Sequence, residues 1–147
     1  MPIDHTHVTA SETGESPFAV RITMKGHVIV GDEPVDAGGG DLGPSPFDLL
    51  SASLAECTAM TVRWFARQRD WPLEHVEVAV DYATKPAADA PLPAVFKKTV
   101  SIRGARLSAD QRSRLLEIAG KCPVQKLLES SLSIDMTAGP MPGQIAK

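Results

Sequence analysis

The chain has little cysteine, no excess of basic residues and no long apolar run. Two cysteines in 147 residues are too few for a disulfide-stapled scaffold, and a chain of this length buries a core without one. A formal net charge of −3 and a pI of about 5.8 argue against a general nucleic-acid binder, which carries a basic excess. No apolar run approaches the roughly 18 residues of a membrane span. The start, Met1 to His7, is polar and lacks the apolar core of a secretion signal. The expected compartment is therefore the cytoplasm, where a pair of thiols more often means redox or metal chemistry than a permanent disulfide. What is there is ordinary for a globular protein: 43% hydrophobic and 22% charged residues, in a length that fits one domain.

Residues 1–16 read as a loose polar lead-in, 17–138 as a single domain and 139–147 as a tail. Phe18, Val20, Ile22 and Met24 alternate with polar residues, which predicts a half-buried strand. Lys25-Gly26 turns it into Val28-Ile29-Val30, giving a hairpin. Asp32 to Pro44 is a loop by its glycines and prolines. Ser45, with Pro46 at the first helical position and Asp48 three residues after the cap, opens a helix predicted to run to about Arg69. That helix is apolar on nearly every side, so burial by strands or by a second subunit is expected.

Strands follow over Val76–Tyr82 and Phe96–Arg103, separated by a Pro/Ala loop at 85–93. Ser108 and Gln111 form a second capping box, for a helix through Ala119 that Gly120 ends. A short helix over Val124–Glu129 has Pro123 in its first turn, and Ser131–Thr137 reads as a last strand. The order is α+β with segregated elements rather than βαβ alternation.

Cys57 falls in the middle of the long helix, on a face shared with Leu50, Ser53, Leu54, Met60, Thr61 and Trp64. By position it reads as a small core hydrophobe. Cys122 has the better local case: preceding Pro123, it caps the third helix, where free N–H groups, the helix dipole and Lys121 favour a thiolate. The two lie 65 residues apart, so they are no CxxC motif, but they can meet in space. A sulfenic acid formed on one thiol could then be captured by the other. The histidines at 5, 7, 27 and 75 group with too few other ligands for a metal site. Gly38-Gly39-Gly40 lacks the Lys-Ser/Thr of a phosphate loop, and no cofactor is indicated. Arg63, Arg67 and Arg69 read as the solvated end of the long helix.

Two stretches carry a resemblance. Asp32-Glu33-Pro34, Gly38-Gly39 and Gly43-Pro44-Ser45-Pro46-Phe47-Asp48-Leu49-Leu50, running into Ala55-Glu56-Cys57-Thr58-Ala59-Met60, resemble the OsmC/Ohr family. So does Leu115 to Val124, with its Lys-Cys-Pro-Val. The resemblance implies an α+β OsmC-like fold, with an antiparallel sheet and a long buried central helix in an intertwined homodimer. It implies a thiol peroxidase that reduces organic hydroperoxides, with Cys57 as the peroxidatic thiol and Cys122 as the resolving one. Regeneration falls to an external dithiol, lipoylated proteins among them, and the site lies at the subunit interface with an apolar mouth. The Arg–Glu pair that activates the thiol in the hydroperoxide-resistance branch does not carry over. Phe47 stands ten residues before Cys57, where that branch has glutamate; Asp48 is one residue off, and Arg21 does not fall at the matching position. Gly43-Pro44-Ser45-Pro46 looks closer to the OsmC-like branch. The alternative is a dimeric binding module for an apolar or electrophilic small molecule, with Cys57 in its wall.

Overall fold

The computed structural model describes residues 5–84 and 94–140; the predicted loop at 85–93 lies outside them. Three strands, β1 (Val8–Glu12), β2 (Val20–Met24) and β3 (His27–Gly31), form one antiparallel sheet in the order β1-β2-β3. The β2–β3 turn is the expected one. Lys25 and Gly26 both have positive φ, 48° and 80°, the twist that a two-residue hairpin loop requires. β1 corrects the loose lead-in. Val8–Glu12 pairs along its whole length with β2, yet all five residues are exposed, so burial imposed no period-two pattern to read.

The loop from Asp32 to Pro44 is organised by one carboxylate. Asp32 is buried and accepts from Ser16 Oγ (2.8 and 2.9 Å) and from the N–H groups of Glu33, Gly40 and Leu42 at 2.8–3.2 Å. Burial pushes its carboxyl up, but these hydrogen bonds outweigh that and hold it below the usual range. A single 3-10 turn, Val35–Ala37, sits inside the loop.

α1 (Pro46–Gln68) begins with the predicted capping box: Asp48 N–H donates to Ser45 Oγ at 3.2 Å, and Ser45 N–H to Asp48 Oδ2 at 3.0 Å. The helix packs against a second antiparallel pair, β4 (His75–Thr84) and β5 (Ala94–Arg103), and against α2 (Ala109–Ala119) and α3 (Pro123–Leu128). Val62, Phe65, Ala66, Leu73, Leu107, Leu115 and Ala119 make the core. Arg63 is not simply solvated: its guanidinium donates to the Leu73 and Glu74 carbonyls at 2.6 and 3.2 Å and ties down the turn after α1.

One expectation is met in part within the single chain, and one is corrected. Within the chain α1 is not buried all round; Leu54, Thr58, Val62, Phe65 and Ala66 are buried, whereas Leu50, Met60 and Trp64 are exposed. The predicted strand at Ser131–Thr137 has no regular structure. The period-two alternation is present, but no described strand lies alongside to complete a ladder, and a strand's main-chain hydrogen bonds belong to its neighbour. No helix among the described residues is long and apolar enough to cross a membrane.

Candidate active site

The fold brings the two cysteines together. Cys57 sits half-buried in the middle of α1, and Cys122 is fully buried at the N-cap of α3. α3 starts there because Pro123 occupies its first position and cannot donate, leaving the next free N–H groups pointed back at the cap. Gln125 N–H donates to Cys122 Sγ at 3.3 Å. Thr58, next to Cys57, places its hydroxyl 3.4 Å from the same sulfur while also 2.8 Å from the Leu54 carbonyl. Cys57 and Cys122 are near enough to shift each other's ionisation, and the Val124 N–H acts on Cys57 as well. One short helix start therefore serves both sulfurs.

These contacts divide the charge unequally. Burial pushes the Cys57 thiol up, as does the neighbouring Cys122, and the Val124 N–H and Thr61 hydroxyl do not offset this. Burial acts against Cys122 as well. There the Thr58 hydroxyl, the Gln125 N–H, the Cys57 thiol and the charge of Lys98 prevail and hold the thiol below its ordinary value. Of the two sulfurs, the buried one is the better thiolate.

Lys98 was not legible as a site residue by composition, yet a signal was present. It shares the register of Phe96, Val100 and Ile102 on the apolar face of β5, where a lysine breaks the alternation, and it pairs with Val80 of β4. Its Nζ donates to Thr58 Oγ1 at 3.0 Å, to the Ala119 carbonyl at 2.6 Å and to Gln125 Oε1. Thr58 and Gln125 complete the set.

The other residues weighed from sequence lie elsewhere. Asp48 is absorbed by its capping box, where the Ser45 hydrogen bonds hold it below the usual carboxylate range. Phe47 stacks on Tyr82 at 4.8 Å between ring centres. Arg21 is exposed on β2, opposite Val30. None of the three hydrogen-bonds to either sulfur among the described residues. Lys98 and Gln125 also border a cleft of about 640 Å³, walled by Leu54, Ala94, Val95, Phe96 and Leu128, with Glu129 as its third polar member; neither cysteine lines it.

The stretch that carries both thiols also matches a known family. The model of the family described as OsmC-like protein matches residues 38–137, a stretch that includes both cysteines. The chain belongs to the OsmC-like family. A search of curated proteins finds no match. Among solved structures, it is similar to an osmotic stress induced and detoxification response protein of Psychrobacter arcticus (24% identity, 85% of this chain and 89% of that one, TM-score 0.66). It is also similar to an OsmC-like protein of Mycoplasma pneumoniae (17%, 86% and 89%, TM-score 0.71). A third is an organic hydroperoxide resistance protein of Legionella pneumophila (19%, 88% and 92%, TM-score 0.58). At these identities the likeness speaks for the fold, which is the expected mixed α and β architecture with antiparallel sheets.

Proposed function

We propose that the protein is a thiol-dependent peroxidase that reduces organic hydroperoxides through Cys57 and Cys122 and is regenerated by an external dithiol. The observation that carries this reading is the proximity of the two thiols: Thr58, next to Cys57 on α1, places its hydroxyl 3.4 Å from Cys122 Sγ, and each thiol shifts the ionisation of the other. Cys57, the more accessible, attacks the peroxide; Cys122, buried against it, captures the sulfenic acid as a disulfide. The mostly apolar cleft bordered by Lys98 and Gln125 suits an alkyl or lipid hydroperoxide tail.

The working unit is an intertwined homodimer. Leu50, Ser53, Cys57, Met60 and Trp64 fall at alternating spacings of three and four along α1, the spacing of a helix–helix seam. Three of them are large and exposed in the single chain, Trp64 by 48%. Cys57 stands in that stripe, so a partner covering it sets the site at the subunit interface. The β1–β3 sheet makes sparse contacts with the rest of its own chain. Ile134 and Met136 are 91% and 95% exposed, an apolar edge suited to a strand of the partner.

A second reading has one observation in its favour. The upward push on Cys57, with no arginine hydrogen-bonded to it among the described residues, fits a binding module for an apolar or electrophilic small molecule. Turnover of cumene or tert-butyl hydroperoxide with a dithiol separates the two. Wild type is expected to turn over and Cys57→Ser to be inactive. Cys122→Ser is expected to stall at the sulfenic acid. A wild-type rate no higher than that of Cys57→Ser rejects the peroxidase and leaves the binding module.

A further inference from the structure

The two thiols shift each other's ionisation, and something must decide which sulfur keeps its proton. Lys98 is the charge in position to do so. Its ammonium is half-buried, and its three donors meet Thr58 Oγ1, the Ala119 carbonyl and Gln125 Oε1. All three acceptors are neutral, and no carboxylate forms an ion pair with Lys98 among the described residues. Withdrawing an ammonium from water without an anion is costly. The ionisable groups one step beyond its acceptors are the Cys122 sulfur, 3.4 Å from Thr58 Oγ1 and 3.3 Å from the Gln125 backbone nitrogen, and the Glu129 carboxylate. Gln125 is itself held in place, its Nε2 donating to Glu129 Oε1 at 2.9 Å. Lys121, adjacent to Cys122 in sequence, turns to Glu117 on α2 at 3.4 Å. The charged groups facing Cys122 are thus Lys98 from β5, the Cys57 thiol from α1 and, behind Gln125, Glu129 from α3.

We propose that Lys98 is the positioning residue of the thiol pair: acting through Thr58 and Gln125, it fixes the negative charge on Cys122 Sγ and leaves the proton on Cys57, making Cys122 the base for Cys57. The catalytic consequence rests on the peroxidase reading above. Cys57 Sγ bonds to the terminal peroxide oxygen as the O–O bond breaks, and its proton passes to the Cys122 thiolate. The departing alkoxide takes that proton from Cys122 and leaves as the alcohol. Cys57 is then a sulfenic acid and the peroxide has been reduced by two electrons. Cys122, a thiolate again, attacks the Cys57 sulfur; hydroxide leaves, collects a solvent proton, and the disulfide forms. An external dithiol returns the two electrons.

The test is the thiolate titration of reduced protein, followed by ultraviolet absorbance, which needs neither peroxide nor access to the buried sulfur. In a Cys57→Ser background Cys122 is the sole thiol. Lys98→Met should lower its thiolate fraction about tenfold at a pH below the wild-type midpoint, as loss of a neighbouring opposite charge does. Lys98→Arg should restore most of it. A Lys98→Met titration that overlays wild type overturns the inference. Should Lys98→Met fail to fold, Thr58→Val and Thr58→Ser carry the same test. The valine variant should lose thiolate and the serine variant keep it, and no difference between them overturns the inference equally. Because no peroxide is involved, a wild type without turnover rejects the peroxidase alone, and an unmoved titration with turnover intact rejects the role of Lys98 alone.

Discussion

Mild oxidation should convert the reduced protein into a form cross-linked within each chain, and its stability can be worked out in advance. The two cysteines stand 65 residues apart, and closing a loop of that size removes denatured-state entropy worth about 4 kcal/mol. The bond also disturbs two contacts to Cys122, from the Thr58 hydroxyl and the Gln125 N–H, at about 1 kcal/mol each. The net gain is about 2 kcal/mol, which for a domain of this size raises the melting temperature by roughly 4–8 °C. The assay compares diamide-oxidised and dithiothreitol-reduced protein in a thermal scan at one protein concentration, since a dimer's melting point depends on it. Thiol counting and a non-reducing gel accompany the scan. The expected result is loss of both free thiols, no cross-linked dimer on the gel, and a higher melting temperature that Cys57→Ser does not share. Thiols that survive oxidation, or a disulfide between chains, would refute the pairing. A lower melting temperature would show that α3 must be distorted to close the bond, and would falsify Cys122 as a ready resolving thiol.

Trp64→Glu should place a charge in the proposed seam of α1 and shift the protein to monomer in sedimentation velocity; an unchanged dimer removes that seam. A Cβ on Gly43 would fall on the Val30 carbonyl, so Gly43→Ala should force apart β3 and the segment leading into α1. A loss of about 2 kcal/mol is expected, read as a lower urea midpoint, and an unchanged midpoint contradicts the close approach. Asp32 is held below the usual carboxylate range in the folded state. Its contribution is therefore complete above the unfolded value of about 3.9 and is lost as pH falls through the folded one. Asp32→Asn should consequently show a shallower acid unfolding curve by circular dichroism, and superimposable curves reject the assignment.

Local signals read well wherever local physics decided. Ser45 and Asp48 marked the start of α1, Ser108 and Gln111 that of α2, and Pro123 placed Cys122 at a helix cap, since each depends on hydrogen bonds within four residues. Strand alternation located β2, β4 and β5. The same period-two reading failed over residues 131–137, where a ladder needs a neighbour, and it missed β1, a fully exposed strand without an apolar face. Gly120 did end α2, but in right-handed conformation, φ −78°, so its freedom to adopt positive φ was not what stopped the helix.

The sequence by itself determined two thiols, one of them at a helix start, and the helical stripe that carries the other. Only the tertiary structure brings them near each other, because α1 packs against α3, two elements whose cysteines are 65 residues apart in sequence. It also sets the opposite directions of their ionisation, Cys57 pushed up and Cys122 held down. Taken locally, Cys57 had no activating group within its own helix, and its surroundings still push it up. The positive charge that favours a thiolate comes from Lys98, on a strand paired with neither helix, and reaches Cys122 through side chains from both. Electrostatics acts across space rather than along the chain, so a lysine that breaks the apolar face of β5 acquires its meaning when the strand is laid against α1 and α3.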